Sequence, residues 1–461
     1  MLSFKEMSNP SHQKLLSILR SEGPLSPADL MRRLELSQPT LFRSAKAQEE
    51  AIIALGGGRN RRLAAPRNVR GLGPSTPVFM ISTEGEIILI GKLLALYPTS
   101  FVFIQETTPS KPEFYPGIPF YLDDMRPQGF IGRAFALKHA DLKLPQRISD
   151  WNNDDILESM ARRGEDLTGN LLIGAASFER HQAALSAQHE IIKRSNVEEY
   201  YVKYAQAAID GQPPGSSAGG EHPKFSAITS SDDGTINRVL VKFSPQGDTF
   251  SARRWRDLLI CEALSLEVLR HHGINAAECR IVEAGGRTFL ETLRFDRKGL
   301  NGRKGTLALA ALENEWTGRG ENWAVSAEFL ARQKKISAED LVTIQKLECF
   351  GRLIANSDRH SGNLSFYWQR GEPRALLAPV YDMLPMLYAP SSGGEDTRRS
   401  FTLPSYDHTL LEAWKDALSM ATHYWERVRA DSRLSAEFIQ IAGRNLDVIR
   451  APTELNPVPG P

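Results

Sequence analysis

Two acidic residues and an asparagine in the last third of this chain have a spacing that limits what the chain can fold into. Asp358 is followed five residues later by Asn363, and Asp382 stands at the end of an apolar stretch, 376–382, that is predicted to be a strand. In kinases, the Asp of such a loop accepts the proton of the attacking hydroxyl, the Asn holds Mg²⁺, and a second Asp is the main Mg²⁺ ligand. Either segment alone reads as an ordinary turn. Both in this order predict a phosphoryl-transfer site that uses ATP and Mg²⁺.

A predicted strand and helix earlier in the chain carry residues that such a site needs around its nucleotide. The strand, 238–243, holds Lys242 in an apolar setting, and the helix, 253–269, carries Glu262. A strand lysine paired with a helix glutamate orders the nucleotide phosphates in kinases. Upstream, the small-residue segment 212–224 lets backbone N–H groups approach an anion closely. By themselves these features fit an edge-strand cation and a linker, so their interpretation depends on the motifs at 358–382.

Length, charge and composition limit the classes of protein to which this chain can belong. A chain of 461 residues, 41% hydrophobic and 24% charged, predicts at least two packed, soluble domains. Residues 1–75 contain 12 basic and 6 acidic side chains, whereas the remainder is mildly acidic. The three cysteines are too scattered for a disulfide framework or a zinc site, and the most apolar stretch, 86–97, is too short to span a membrane. With no secretory signal recognised, a cytoplasmic protein without a membrane partner is expected.

The basic first segment has the pattern of a winged helix-turn-helix. Ser26 followed by Pro27 predicts the start of a second helix, and a third helix is expected over 38–51. An apolar strand, a glycine turn and a basic tip follow, so the arginines of this wing would reach phosphates or the minor groove of DNA. The alternative is a three-helix module that docks on the rest of the chain or on a protein partner. The predicted DNA-binding residues are Gln38, Thr40, Arg43, Lys46, Arg59, Arg61 and Arg62.

Composition divides the chain further. The Pro- and Gly-rich stretch 66–77 predicts a linker, after which strands are expected at 78–81, 86–91 and 100–105. We therefore predict a DNA-binding domain over 1–70, a β-rich subdomain with a nucleotide-binding lobe over 76–300, a helical lobe with the catalytic loop over 301–450, and a disordered tail over 451–461. His271 and His272, near a helix end, are interpreted as surface or packing residues without a role.

Four motifs resemble those of one family. Residues 216–224 are similar to a Ser-x-x-Gly-Gly-x-x-Pro-Lys loop, 356–363 to Asn-x-Asp-x-His-x-x-Asn, 381–382 to a metal-binding Tyr-Asp, and 294–297 to Arg-Phe-Asp-Arg. On these motifs the sequence, from about residue 78 to about 446, resembles the HipA family of bacterial serine/threonine kinase toxins. The family has Glu directly before the Arg-Phe-Asp-Arg motif, where this chain has Leu293.

The resemblance assigns roles to individual residues. It implies that Asp358 is the catalytic base, that Asn363 and Asp382 bind Mg²⁺, and that Ser216 or Ser217 is phosphorylated by the protein itself. It also implies a protein substrate, growth inhibition when the protein is in excess, and an antitoxin of the HipB type as partner. The nucleotide-binding residues that it implies are Ala218, Gly219, Gly220, Glu221, His222, Pro223, Lys224, Lys242, Glu262, Leu293, Arg294, Phe295, His360, Ser361, Gly362, Asn363, Tyr381 and Asp382.

The predicted fold is therefore α+β: a winged helix-turn-helix followed by a HipA-like kinase fold with a β-rich N-terminal subdomain and an all-α C-terminal lobe. Two other functions fit parts of the sequence. One is a transcription regulator whose kinase-like region only binds a ligand. The other is a metal-dependent nuclease in which Asp358, His360 and Asp382 hold the ion. A nuclease would cut DNA without ATP, and a regulator would have an incomplete catalytic set.

Overall fold

The computed structural model describes residues 10–106, 111–127, 135–187, 189–210, 222–318, 322–391, 393–405 and 408–451. They divide into two compact units, one within Met1–Pro127 and Phe135–Gln188 and the other from His189 onward. The side chain of Arg59 and the predicted tail from residue 452 lie outside the described residues. So do the predicted loop residues Ser216, Ser217, Ala218, Gly219, Gly220 and Glu221.

The first unit begins with three helices, α1 (Pro10–Glu22), α2 (Pro27–Leu34) and α3 (Gln38–Lys46). The Ser26 hydroxyl accepts a hydrogen bond from the backbone N–H of Asp29, which caps α2 as predicted. The prediction that the third helix extends to residue 51 is wrong, because the chain turns after Lys46 and carries Ile52 into the core of this module. The other buried members of that core include Leu15, Leu19, Leu30 and Leu41.

A two-stranded antiparallel hairpin follows the helices, with β1 (Ile53–Leu55) paired to β2 (Arg62–Ala64). A short 3₁₀ turn, Gly58–Asn60, forms its tip. Leu63 also forms a bridge with Leu25, so the hairpin is held against the turn that precedes α2. The observed arrangement is thus three helices and a hairpin around one small core.

A five-stranded antiparallel sheet forms the rest of the first unit, in the order β6-β5-β4-β3-β7. Three of its strands confirm the predicted ones. The strands are β3 (Ser75–Ile81), β4 (Ile87–Ala95), β5 (Phe101–Gln105), β6 (Glu113–Tyr115) and β7 (Leu171–Ile173), and the helices are α4 (Phe120–Asp123), α5 (Asn153–Arg163) and α6 (Ala175–Ser186).

The stretch 66–77, whose composition predicts a linker, is closely tied to this sheet. Arg67 forms an ion pair with Asp154 at 2.6 Å, and Arg70 contacts Asp155 at 2.5 Å. Pro66 forms a bridge with Leu96, and the hairpin and the sheet share one apolar cluster, comprising Leu55, Ala64, Leu94, Leu96 and Val102. The stretch is therefore a packed connection, because the arginines next to its prolines and glycines form ion pairs with other residues.

The second unit begins with a five-stranded sheet in the order β11-β12-β10-β9-β8. Its strands are β8 (Ile191–Lys193), β9 (Lys224–Ser230), β10 (Ile236–Phe243), β11 (Cys279–Ala284) and β12 (Arg287–Leu293). Helix α7 (Val197–Asp210) packs on one face, where Tyr201 shares an apolar cluster with Phe243 and Phe289. Helix α8 (Phe250–His271) packs on the other face through Leu259 and Ala263.

The C-terminal part of this unit is mostly helical but not all-α, so that prediction is wrong. A three-stranded sheet contains β15 (Thr306–Ala308), β16 (Ser365–Tyr367) and β17 (Leu376–Leu377). It holds the segments around residues 356–363, because the apolar side chains of Leu307 and Phe366 are buried in it. A small hairpin, β13 (Arg297–Lys298) and β14 (Gly302–Arg303), precedes it. The helices are α9 (Leu309–Leu312), α10 (Trp323–Arg332), α11 (Ala338–Leu353), α12 (Leu411–Ala430) and α13 (Ala436–Arg450). No helix in the described part of the chain is both long and apolar enough to cross a membrane.

Candidate active site

Lys242, on β10, joins two carboxylates from different parts of the second unit. Its Nζ donates to both oxygens of Glu262 at 2.8 Å and also contacts Asp382. Lys242 is 8% exposed and Glu262 is 1% exposed. The predicted lysine–glutamate pair is therefore present, with the second predicted aspartate beside it.

The charges of this trio depend on one another. Burial opposes the charge on Lys242, but the carboxylates of Asp382 and Glu262 outweigh it and raise the pKa of the ammonium. Burial raises the pKa of Glu262 against the opposing effect of Lys242. Lys242, followed by Lys224, overcomes the burial of Asp382 and lowers the pKa of that carboxyl. Asp382 is therefore held as a carboxylate, the form that binds cations.

The loop over 356–363 is fixed by side chains that bond to its own backbone. The Asn356 amide oxygen accepts from the Asp358 N–H at 3.0 Å, and the Asn363 Nδ2 donates to the Asp358 carbonyl at 2.9 Å. This bond uses the amide nitrogen of Asn363 and leaves its oxygen for other partners. The spacing between Asp358 and Asn363 therefore depends on short-range hydrogen bonds, and a local pattern of this kind is visible in the sequence.

Three residues outside this loop support it, and sequence reasoning did not single them out: Trp323, Glu348 and Gly351. The indole Nε1 of Trp323, on α10, donates to the His360 carbonyl at 3.0 Å. The Arg359 guanidinium forms an ion pair with buried Glu348 of α11 at 3.3 Å. A side chain on Gly351 of α11 would overlap with Arg359, so the glycine makes room for it. In the sequence, Arg359 stands inside the motif 356–363, whereas Trp323 and Glu348 look like ordinary helix residues.

The Asp358 carboxylate points to partly open space. Its side chain is 47% exposed, and His360 Nε2 lies 4.0 Å from it. Burial raises the pKa of Asp358 while the His360 imidazole acts against this rise, and the charge of Asp382 adds to it. A carboxylate with a raised pKa is a better proton acceptor. The geometry therefore suits Asp358 to act as a general base toward a group that enters from solvent.

The segment that carries Asp382 is irregular rather than a continuous strand. Asp382 adopts a left-handed backbone conformation with φ of 55°. The segment is held at Val380, which bonds to the backbone of Asn275 and Ala277, and at Met383, whose carbonyl accepts from the Ser265 hydroxyl of α8. This unusual conformation turns the Asp382 carboxylate toward Lys242, and the partners on both sides stabilise it.

Tyr381 connects this segment to the loop that contains Asp358. Its hydroxyl donates to the Gly362 carbonyl at 2.9 Å and lies 2.8 Å from the Ser365 hydroxyl. Its ring packs against Phe295, with centroids 5.7 Å apart. Tyr381 thus links the loop that contains Asp358 to the segment after β12.

The predicted hinge residues lie at the end of β12 and directly after it. The N–H of Leu293 donates to the Glu278 carbonyl at 2.8 Å, and the N–H of Arg294 to the Arg238 carbonyl at 2.9 Å. The Arg294 guanidinium holds Asp296 through two hydrogen bonds, at 3.0 and 2.8 Å. The arginine–aspartate motif is therefore a brace for the hinge, and the N–H groups of Leu293 and Arg294 are used within the sheet region.

The described end of the glycine-rich loop reaches the same site. Lys224 is the cross-strand neighbour of Lys242, and Pro223 precedes it. The His222 ring lies 4.2 Å from the Trp255 ring of α8, centroid to centroid. Burial, followed by the charges of Lys242 and Lys224, lowers the pKa of His222 to about 3. His222 is therefore neutral near pH 7 and adds no positive charge beside the two lysines.

The donor atoms available near Asp382 fit a hard cation. Asp382 offers a carboxylate and Asn363 an amide oxygen, the ligand types that Mg²⁺ takes together with waters and phosphate oxygens. Among the described residues, no group of three His, Cys, Asp or Glu side chains converges to hold a metal ion. A site with so few protein ligands suits Mg²⁺ that arrives with a nucleotide.

In the first unit, the predicted DNA-binding residues occupy the outer side of α3 and the hairpin. Gln38, Arg43 and Lys46 are exposed, opposite buried Leu41, and Thr40 is half-buried, with its hydroxyl 2.9 Å from that of Ser37. Arg61 and Arg62 are also exposed. Arg61 lies over the Phe42 ring at 4.6 Å, and Arg62 donates to the Pro24 carbonyl at 3.2 Å.

A β-strand lysine paired with a helix glutamate, a loop with Asp358 and Asn363, and a nearby Asp382 define a kinase-like fold. Two family models match this chain: the middle domain of YjjJ-like toxins over residues 72–182 and the HipA-like C-terminal domain over 216–442. Toxin YjjJ of Escherichia coli K12 is 35% identical over 438 residues, which are 94% of this chain and 97% of that protein. The chain therefore belongs to the HipA-like toxin family, among its YjjJ-like members, and the resemblance drawn from the motifs is confirmed.

A solved structure shows the same fold. HipA of Shewanella oneidensis MR-1, determined in a complex with HipB and its operator DNA, matches 80% of this chain and 95% of its own with a TM-score of 0.54. The two sequences are 16% identical. At that identity the likeness establishes the fold and not the chemistry.

Proposed function

We propose that this protein is an ATP- and Mg²⁺-dependent serine/threonine protein kinase of the HipA toxin type, cytoplasmic and growth-inhibiting when in excess. The observation that carries the proposal is the contact of Lys242 with both Glu262 and Asp382. Structural ion pairs need only one carboxylate for each lysine. A lysine held between a buried glutamate and a more exposed aspartate can exchange the aspartate for phosphate and remain charged.

In the proposed reaction each residue has one task. Asp358 accepts the proton of a serine or threonine hydroxyl as its oxygen bonds to the γ-phosphorus and the bond to the bridging oxygen of ADP breaks. Lys242 binds phosphate oxygens and is oriented by Glu262. Asn363 and Asp382 would hold Mg²⁺, which supplies charge neutralisation on the phosphates. Trp323 and Tyr381 position the loop through the carbonyls of His360 and Gly362.

Two observations favour the kinase over the two other candidates. A nuclease that held its metal with Asp358, His360 and Asp382 would need these three side chains to converge, and no such group of three is found among the described residues. A regulator that only binds a ligand would not need a proton acceptor such as Asp358, whose side chain is 47% exposed and open to an entering group.

The test is transfer of labelled phosphate from ATP by the full-length chain in Mg²⁺. We expect label on the protein itself, with mass spectrometry placing phosphate on Ser216 or Ser217. Such a phosphate adds about −1.5 to −2 charge and would compete with ATP phosphates for Lys224 and Lys242, so the modified protein should lose activity. Bound ATP without transfer would support the regulator, cleavage of DNA without ATP would support the nuclease, and phosphate found only elsewhere would contradict the loop assignment.

We further propose that the three helices and hairpin form a winged helix-turn-helix that binds DNA, and that an antitoxin of the HipB type is a partner. The exposed α3 residues and the wing arginines support the first proposal. The Shewanella relative, solved with HipB and operator DNA, supports the second. Because Leu55 and Ala64 share a core with Leu94, Leu96 and Val102, the helices and hairpin should be tested within the full chain.

DNA binding by the full chain should weaken steeply with salt, because phosphate contacts release counterions. Replacing Arg61 and Arg62 by Ala should weaken binding to all sequences and reduce the salt slope by about 1 for each phosphate that the variant no longer neutralises. Gln38→Ala or Arg43→Ala should instead relax sequence preference, since base contacts specify. Gel shifts at several salt concentrations measure both effects, with Arg180→Ala, on α6, as the control. Absence of binding at low salt would identify the module as a protein-docking one.

A further inference from the structure

Three histidines that are far apart in the sequence come together on the surface of the second unit. His271 is the last residue of α8, His272 caps that helix, and His423 lies on α12. The ring centroids of His271 and His423 are 5.0 Å apart, those of His272 and His423 5.4 Å, and those of His271 and His272 5.5 Å. The rings form a nearly equilateral triangle, which we call the histidine triad.

These distances are those of imidazoles that share a metal ion. With metal–nitrogen bonds of about 2.0–2.1 Å, two histidines on one tetrahedral ion have their nitrogens about 3.3 Å and their ring centroids about 5.2 Å apart. In the triad, His272 Nε2 and His423 Nδ1 are 3.2 Å apart. Both the nitrogen pair and all three centroid distances therefore fit one tetrahedral centre.

Among the described residues there is no preformed group of three metal ligands, so a ring of the triad must turn before it can hold an ion. Such a turn is open to His271. His271 is exposed, and rotation of its imidazole about χ2 exchanges ring nitrogens and carbons without moving the ring centroid. A metal ion can thus complete the site by turning one surface ring.

The charges around the triad leave the imidazoles as the available ligands. Asp416 is paired with Lys346 at 2.7 Å, Glu267 with Arg427 at 2.9 Å, and Glu426 with Arg450. Imidazole ligands select borderline transition metals over Mg²⁺.

We propose that His271, His272 and His423 form a surface binding site for a divalent transition metal of the zinc type, with water as the fourth ligand. The ion would join the C-terminal end of α8 to α12. Helix α8 also carries Glu262, so the bound ion would restrain the helix that orients Lys242. The proposal goes beyond the kinase activity and does not depend on it.

The test is titration of the metal-free full-length protein with Zn²⁺, followed by calorimetry in excess Mg²⁺, and with Co²⁺, followed by its ligand-field absorption. We expect one ion per chain, the absorption of tetrahedral nitrogen and oxygen coordination, and a melting temperature that rises with zinc concentration because the ion binds the folded state. The His271→Ala variant, at an exposed position, and His423→Gln should lose this complex, whereas His139→Gln in the first unit should keep it.

Each other outcome would overturn the proposal. Binding that persists in both triad variants would place the ion elsewhere. A sulfur-to-cobalt charge-transfer band would assign it to a cysteine, and the Cys279→Ser variant would confirm that origin. No binding at all would leave the contact between His272 and His423 as a hydrogen bond between neutral rings. If the metal-free variants melt at the wild-type temperature, their loss of binding is not caused by a loss of folding.

Discussion

The Asp358→Asn variant is expected to transfer phosphate from ATP about 10²–10⁴ times more slowly than the wild-type protein, the range that general-base catalysis contributes. The amide has the shape of the carboxylate but cannot accept the proton. Because the Asp358 side chain is 47% exposed, the substitution should leave the fold intact. Asp358→Asn should also still bind ATP, since Lys242 and the loop end at Lys224 are unchanged.

The Asp382→Asn variant should be affected at a different step. It loses the carboxylate expected to hold Mg²⁺, and with it charge stabilisation worth several kcal/mol in the transition state. Its nucleotide binding should become insensitive to Mg²⁺, which Asp358→Asn should not show. The matched control is Asp248→Asn, whose side chain is 82% exposed.

Initial rates of label incorporation, with circular dichroism to verify folding, measure both variants. Wild-type rates in a folded Asp382→Asn protein would exclude the kinase. Overproduction in cells offers a second readout: the wild-type chain should slow growth, while both variants should not.

The second large effect concerns stability. Lys242→Met leaves the 1%-exposed Glu262 carboxylate without its cation, and removing one partner of a buried ion pair costs about 3–5 kcal/mol. Glu262→Gln should cost less, because Lys242 keeps Asp382 as partner. The double variant Lys242→Met, Glu262→Gln should recover most of the loss, since no buried charge then remains unpaired.

Hydrogen exchange of the α8 amides in the full chain is the suitable measurement, because two compact units need not unfold in one transition. The control is Lys346→Met, which removes a partly exposed pair with Asp416 and should change stability by about 0–1 kcal/mol. A Lys242→Met variant no less stable than Glu262→Gln would show that Glu262 is protonated and needs no partner.

The predictions that succeeded depend on near neighbours in the sequence. The cap at Ser26 requires only a hydroxyl three residues before the Asp29 N–H. The loop at 356–363 closes through hydrogen bonds that span two and five residues. The predicted strands of the first unit alternate or are apolar enough to be recognised one at a time.

The predictions that failed depend on packing. The third helix stops at Lys46 because Ile52 must reach the core, and the expected all-α lobe contains β15, β16 and β17 because the loop segments pair with one another. The stretch 66–77 has a linker's composition, yet Arg67 and Arg70 bind carboxylates on α5. A high content of proline and glycine shows that the backbone can bend, but it does not show which residues the neighbouring side chains contact.

The sequence by itself determined the chemistry available to this protein: an aspartate and an asparagine in one loop, a second aspartate after a strand, a lysine on a strand and a glutamate on a helix. Local geometry fixes those features. Only the tertiary structure decided that Lys242 contacts both Glu262 and Asp382, that Trp323 holds the His360 carbonyl, and that His423 joins His271 and His272. These contacts join residues tens to hundreds of positions apart, and they form only when the core brings their helices and strands together, because no short stretch of chain contains both partners.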